Sequence, residues 1–381
     1  MKFVYAGAFR FPNLDAASQR VLNNAKILRE LGHEVVFIAY GGKLLEEYLS
    51  PDGFSEYDGF KYTVTNELTP SGDIFNRLKQ QIRRGEKAQA LISKNFSSWE
   101  VIQYNTYFSS QWSDITEWYS PLDFQGGICS YGYWRSEYNM LLKQKRVPKK
   151  IVISRYLDKY YSGSHNIIIP PLIDLKDSKW NNIVKDLPRQ IASHTGRRII
   201  FAGVPAKKDL LKNAIQALCT CVCQGNRSLQ LIVVGVSERE SLLYCSNEQL
   251  NLLNQNIVFV GRVSQDLVPA YYKLADASII IRERTRKNMA GFPTKMAESM
   301  AAGCPVIMTK TSDLEDYVKD GDQGIIISDT KVDSIVNGFK ILNSISNEKL
   351  RYMKDSSKKL SVMKFDWRNY VSSMRDFIEI N

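Results

Sequence analysis

Along the first forty residues the apolar positions change period twice. Lys2–Ala8 is a nearly unbroken apolar run, as expected of a strand buried on both faces. A loop is expected over Phe9–Leu14. Asp15 then suits a helix N-cap, and Ala17, Val21, Ala25 and Leu28 recur at helical spacing. Gly32 stops that helix and Val35–Ala39 is the next strand. The resulting strand–helix–strand unit places its loop at a helix N-terminus, whose unpaired N–H groups suit an anion.

The second half repeats the alternation. Strands are expected at Ile199–Ala202, Leu229–Val234, Ile257–Val260, Ser278–Ile281, Val306–Met308 and Gly324–Ile327. Between them the spacing predicts helices through Leu211, Ile215, Leu218 and Val222, and over Asp266–Ala275, Thr294–Ala302 and Ser312–Val318. Such alternation implies parallel, doubly wound α/β sheets, so both halves read as Rossmann-like layers. Ile167–Ile169 followed by Pro170-Pro171 reads as a hinge, and Phe365–Ile380 as an amphipathic tail after the basic stretch Lys354–Lys364. Val101–Tyr104 looks like a buried strand. Asp114 follows too soon for a helical crossover to a parallel neighbour, so residues 105–135 are expected to form an aromatic-rich loop.

The chain has 381 residues, enough for two domains, with 44% hydrophobic and 24% charged residues. Those values exclude a disordered, collagen-like or disulfide-stapled chain. No apolar run approaches the ~20 residues of a membrane-spanning helix, and Met1–Phe9 is too short for a secretory signal, so a cytoplasmic location is expected. Of six cysteines, Cys219, Cys221 and Cys223 alternate, a spacing awkward for zinc; they are expected to pack or face solvent. The three histidines His33, His165 and His194 form no metal-ligand pair, and no nucleophile elbow is present. No metal or other cofactor is therefore expected.

Formal charge is +11, and the surplus is localised. Arg77, Lys79, Arg83, Arg84, Lys87 and Lys94 fall within Phe75–Lys94 against one acid, Glu86, with an apolar stripe of Ile74, Leu78 and Ile82. Lys143–Lys150 adds five cations. This pattern reads either as a helix lying on an anionic membrane or as a solvated face. Nucleic acid is not an expected partner, because charge alone points to it and no binding motif accompanies the charge.

The stretch from Arg282 to Glu298 carries the most chemistry. It follows a strand and enters a helix, so it lies beyond the carboxyl edge of a doubly wound sheet, where ligands bind. Gly291 allows close backbone approach, Pro293 suits a helix start, and Glu298 one turn in can accept hydrogen bonds from a ribose diol. The competing reading is a solvated basic loop and a surface glutamate. Asp114-Ile-Thr-Glu117-Trp118 is similarly open: a sugar-binding carboxylate pair beside aromatic rings, or a capping box at a helix start.

Phe292-Pro-Thr-Lys-Met-Ala-Glu298 followed by Ser-Met-Ala-Ala-Gly-Cys-Pro-Val306 resembles the donor motif of retaining glycosyltransferases of family 4. Phe201-Ala-Gly203 with Lys207-Lys208-Asp209 resembles the family's phosphate-binding start, and Gly261-Arg262-Val263 its nucleobase-side loop. Asn23–Val36, Ile151–Ser154 and Ile169–Asp174 extend the likeness over both halves, in the family's order. The resemblance implies a GT-B fold of two Rossmann-like domains facing a cleft. Residues 1–169 would be the acceptor-side domain, 170–364 the nucleotide-sugar donor domain, and 365–381 a helix returning to the first. It implies transfer of a hexosyl group, with retention, from a nucleotide-diphosphate sugar. A UDP-sugar is favoured as donor, and a saccharide or lipid-linked saccharide as acceptor, as in cell-surface polysaccharide synthesis on the inner face of the plasma membrane.

Carried onto this sequence, the resemblance makes Lys208, Arg282 and Glu298 the catalytic set. Donor-binding residues would be Gly203, Lys208, Arg262, Arg286, Asn288, Gly291, Phe292, Pro293, Thr294 and Glu298. On the acceptor side stand Asp15, Ala16, Asn105, Asp114, Glu117 and Trp118. The sequence departs from the family pattern at Ala290, where a sugar-holding glutamate is usual, and at Val204, where an arginine is usual; Ala16-Ala17 replace a Gly-Gly pair. Lys208 and one of Arg282, Arg284 and Arg286 would then supply the charge beside the diphosphate. The departures also motivate an alternative: a catalytically inactive nucleotide-sugar-binding or partner subunit.

Overall fold

The computed structural model describes residues 1–65, 74–106, 111–117, 144–205 and 208–379, leaving aside the side chains of Tyr48 and of 74–82. Met1–Leu172, Ala290–Phe292 and Trp367–Asn381 form one unit; Ile173–Met289 and Pro293–Asp366 form a second. Among the described residues no helix is long and apolar enough to cross a membrane.

In the first unit eight strands form one sheet: β1 (Lys2–Phe11), β2 (Glu34–Gly42), β3 (Ser55–Tyr57), β4 (Phe60–Val64), β5 (Glu100–Tyr104), β6 (Trp112–Ile115), β7 (Lys149–Val152) and β8 (His165–Ile168). Their order is β3-β4-β2-β1-β5-β6-β7-β8, parallel except for β3, which joins β4 through a tight Asp58-Gly59 turn with φ of 52° and 73°. The sheet order reverses between β1 and β5, which sets the crevice of this unit at their carboxyl ends. Gly7 ends the β1–β5 pairing because a Cβ there would lie 2.3 Å from the Tyr104 carbonyl oxygen. Its core is aromatic, with Phe3, Tyr5, Phe9, Phe11, Phe37 and Tyr62 fully buried, and Trp367, Met374 and Phe377 of the C-terminal segment join it.

Two expectations fail here. Asp114 is neither in a loop nor at a helix start: β6 is a strand pairing in parallel with both β5 and β7, so the capping-box reading of Asp114 and Glu117 is corrected. The pairing is parallel although only residues 105–111 separate the two strands, fewer than the dozen or so that a parallel crossover ordinarily takes. Lys150, read as part of a basic surface, is fully buried in β7, where its ammonium donates to the Val147 carbonyl and the Ser164 hydroxyl. Burial pushes it down to about 8.

The second unit has six strands, β9 (Arg197–Ala202), β10 (Leu229–Val234), β11 (Ile257–Gly261), β12 (Ala277–Ile280), β13 (Val306–Thr309) and β14 (Gly324–Ile327). The order β11-β10-β9-β12-β13-β14 is that of a Rossmann sheet, with its reversal between β9 and β12. Leu229–Val234 is buried at every position, as a central parallel strand requires. Two apolar clusters cover the two faces, one around Leu218, Leu231 and Phe339, the other around Ile200, Ile232 and Tyr272. Cys219, Cys221, Cys245 and Cys304 are buried and Cys223 is exposed, all unbridged. The helix expected at Ser312–Val318 is only a 3-10 turn, Leu314–Asp316; Ser312 takes φ 52°, which a right-handed helix cannot continue from.

Candidate functional site

The site expected from the sequence falls at the β9/β12 reversal of the second unit. β9 ends in Gly203 and β10 in Gly235, with φ of 107° and 106°. A Cβ on Gly235 would lie 2.6 Å from the Gly203 carbonyl carbon, so the two turns can stack only as glycines. Beside them β12 delivers Arg282, which is buried. Thr309 Oγ1 of β13 accepts from the Arg282 N–H at 3.0 Å and donates to the Arg282 carbonyl at 2.8 Å, fixing the backbone where the strand leaves the sheet.

Helix Thr294–Ala301 starts at the same edge. Pro293 precedes it and offers no side-chain cap; the Met296 N–H bonds the Pro293 carbonyl at 3.1 Å, and no side-chain oxygen caps the amides of Thr294 and Lys295, so the positive end of the helix dipole is open to an anion. Ser299 holds this helix to the sheet, its hydroxyl donating to the Cys304 carbonyl at 2.6 Å and lying 2.7 Å from the Ser278 hydroxyl. Glu298 is half-buried one turn in, and no hydrogen bond or ion pair holds its carboxylate among the described residues. Burial raises its pKa, against the opposing pull of Lys179 and Lys295.

Three charged groups meet at this edge. Asp209 Oδ1 accepts from Arg282 Nε at 3.3 Å and from Nη2 at 3.1 Å, while Oδ2 stands 3.6 Å from Lys295 Nζ. Lys295 also lies over the Phe201 ring, 4.3 Å from its centroid. Burial pushes this lysine down to about 8; Asp209 pulls the other way, and Arg282 and Lys208 push with the burial. Lys295 had not been singled out from the sequence. A signal for it existed: a cation in the first turn of a helix opposes the macrodipole and is unusual unless an anion is expected there.

The remaining expected donor residues are scattered. Lys208 is half-buried and close enough for its charge to act on Lys295. Arg262 is exposed and pairs with Glu240 at 3.6 Å. Arg286 is exposed at the start of helix Arg286–Ala290, and Asn288 is buried, its amide donating to the Glu283 carbonyl at 2.9 Å. Gly291 and Phe292 belong to the first unit, whereas Pro293 and Thr294 belong to the second. Ala290 is fully buried, and its carbonyl accepts from the Ser154 hydroxyl at 2.6 Å.

In the first unit, Asp15 caps helix Ala16–Glu30, accepting from the Ser18 N–H at 2.7 Å, with Ala16 exposed beside it. Asn105 links the ends of β5 and β6, donating to Thr116 Oγ1 at 2.8 Å and accepting from the Thr116 N–H at 3.1 Å. Asp114 is fully buried: it accepts from Tyr5 Oη at 2.5 Å, from Asn24 Nδ2 at 3.1 Å and from Arg20 Nε at 2.8 Å. Glu117 is half-buried, and Trp118 lies outside the described residues. Among the described residues no cluster of three metal-ligating side chains occurs.

Residues 185–360, just under half of the chain, match the family described as glycosyl transferases group 1. An uncharacterized glycosyltransferase from Methanocaldococcus jannaschii, MJ1069, is 25% identical over 183 residues, 48% of this chain and 45% of that one. The match thus spans about half the length of that relative. Among solved structures, WaaG, a glycosyltransferase involved in lipopolysaccharide biosynthesis, superimposes with a TM-score of 0.71 at 12% identity over 100% of both chains. Anabaena HepE in complex with UDP gives 0.64 at 14% identity over 99% of both. The fold is GT-B.

Proposed function

We propose that the chain is a metal-independent glycosyltransferase that moves a hexosyl group, with retention, from a nucleotide-diphosphate sugar to a saccharide or lipid-linked saccharide. The observation that carries this reading is the donor edge of the second unit. Stacked glycine turns, an uncapped helix N-terminus and a buried arginine surround one spot, and the Glu298 carboxylate stands unbonded one turn away. A UDP donor is favoured because HepE was solved with UDP. A cell-surface saccharide acceptor is favoured by the likeness to WaaG.

In this reading Glu298 accepts hydrogen bonds from the ribose hydroxyls, which explains a carboxylate left without a protein partner on a half-buried helix face. Arg282, Lys208 and the first-turn amides of helix Thr294–Ala301 lie where charge grows on the departing diphosphate, lowering the barrier without reorganisation. The acceptor oxygen bonds to the anomeric carbon as the carbon–oxygen bond to phosphate breaks. The acceptor proton passes to the departing phosphate oxygen, so no dedicated base is required. The exposed cations Arg83, Lys87 and Lys94 of helix Ile74–Asn95 would hold the enzyme to an anionic surface, while its described apolar face, with Ala88, Leu91 and Ile92, is taken up by the core. Sedimentation with anionic vesicles at low salt and release at high salt is the expected result; equal retention on neutral vesicles would remove the membrane from this reading.

The decisive measurement is donor binding and turnover by Glu298→Ala and Glu298→Gln against a panel of UDP- and GDP-sugars. Loss of two hydrogen bonds to a charged acceptor should weaken the donor by about a hundred- to ten-thousandfold in the alanine variant. Unchanged affinity and turnover would refute the assignment. Donor binding with no transfer or donor hydrolysis would instead favour the inactive-subunit alternative, for which Ala290 and Val204 speak.

A further inference from the structure

At the donor edge the buried ammonium of Lys295, like the Glu298 carboxylate, lacks a hydrogen-bond partner among the described residues. Its Nζ is shut off from solvent yet has no hydrogen-bond acceptor among the described residues; an Asp209 carboxylate oxygen stands 3.6 Å away. An ammonium carries three donors, and leaving them unmatched in a buried place is costly. Arg282, the other cation on Asp209, is already engaged through two of its nitrogens.

Room on the inner side is limited. The cavity lined by Asp209, Lys295, Phe201 and Ile279–Ile281 measures about 10 Å³, enough for one water and too small for a phosphate group. The outer side is different. A Cβ on Gly203 would stand 3.0 Å from Lys295 Cε and 3.3 Å from Nζ, so the end of the lysine lies directly against this turn. The missing Cβ leaves the path from Asp209 to the turn open.

Resting on the donor reading above, the geometry points to Lys295 as a further phosphate-binding cation beside Arg282 and Lys208: Asp209 parks it in the donor-free state, and it swings past Gly203 onto the donor diphosphate. Asp209 is thereby a positioning residue, holding Lys295 and Arg282 together without touching the donor. The parked lysine, pushed down to about 8, regains an ordinary affinity for protons once it faces a polyanion. Binding should therefore draw in a proton near that pH, an effect that a purely structural lysine does not produce.

The test is calorimetric titration of the full-length protein with UDP, GDP and inorganic pyrophosphate at pH 8, in two buffers of different ionisation enthalpy. Wild type should take up about half a proton per diphosphate bound at pH 8, since a group titrating at about 8 is then half protonated. Lys295→Met should bind each diphosphate about ten- to a hundredfold more weakly, the loss of one charge-assisted contact. Lys295→Arg should recover much of the affinity but take up no proton, because a guanidinium stays charged. If Lys295→Met binds like wild type while Glu298→Ala loses UDP, the lysine assignment falls and the donor reading stands. If wild type binds none of the three ligands, both fall. Weaker binding with no proton uptake in wild type overturns the parked-lysine part.

Discussion

Each unit buries an arginine against an aspartate at the reversal of its sheet, and the two clusters differ in how completely they are bonded. In the first unit Asp114 accepts from Arg20, Tyr5 and Asn24, while Arg20 Nη1 also donates to the Ile169 carbonyl at 2.8 Å. Asn23 adds a bond to the Leu172 carbonyl at 2.8 Å. Each oxygen of that carboxylate is bonded, and the network ties helix Ala16–Glu30 to β1, β6 and the chain leaving β8. In the second unit one aspartate stands between two cations, bonding Arg282 at 3.1 Å while the Lys295 ammonium stays 3.6 Å away. A buried network in which both carboxylate oxygens are bonded specifies structure; a cation left short of acceptors is a place for a ligand to finish.

Breaking the closed network gives the largest expected effect. Asp114→Ala strands a guanidinium that is 3% exposed, and removing one partner of a buried ion pair costs about 3–5 kcal/mol. Urea unfolding should show that loss in the transition of the first unit. A cost below about 1 kcal/mol, the range of an exposed pair, would mean the cluster is not what holds this unit together.

The open network should respond in the opposite direction. Lys295→Met removes a poorly solvated charge and leaves the Arg282–Asp209 pair intact, so the variant that loses donor binding should gain thermal stability. A gain of roughly 1 kcal/mol corresponds to about 2–4 °C in Tm for a domain of this size. The sign with pH follows from the lowered lysine. Below pH 8 the native state carries the full burden of the buried charge; from about 8 up to the ordinary lysine value the native lysine sheds its proton while the unfolded chain keeps its own, so wild type gains stability as pH rises. The advantage of Lys295→Met should therefore be greatest near pH 7 and shrink towards pH 10. A constant gap across that range would show that the lysine is not buried in its charged form.

The contrast also marks what a sequence can disclose. The second unit was legible because its strands are continuous apolar runs and its helices keep a clear period, so strand ends and the start of helix Thr294–Ala301 were placed within a residue or two. The place of Glu298, one turn into that helix, was legible because its spacing from Pro293 is local. β6 was not: a four-residue strand reading Trp-Ser-Asp-Ile has no apolar signature, and its central polar pair is buried only because Gln103, Gln144, Arg20 and Tyr5 reach it from elsewhere. The Arg20–Asp114 pair joins positions 94 apart, beyond any periodicity. Lys295 sits between a threonine and a methionine in a pattern that reads as a helix surface; only folding shows that β9 and the loop after it close over its ammonium.

The smallest effect tests the helix cap expected at Asp15; the loop before it is shorter than expected, because β1 runs on to Phe11. Its carboxylate and Ser18 form a reciprocal capping box, with Ser18 Oγ accepting from the Asp15 N–H at 3.2 Å. Yet burial raises the Asp15 pKa despite those bonds, so ionisation of this side chain works slightly against folding. A neutral cap should serve the helix as well. Asp15→Ala is expected to cost about 1 kcal/mol and Asp15→Ser only a few tenths, read by urea unfolding at pH 7. If Asp15 also meets the acceptor, Asp15→Ser should keep the stability and lose turnover. Equal turnover in Asp15→Ser and wild type would leave Asp15 a helix cap and nothing more.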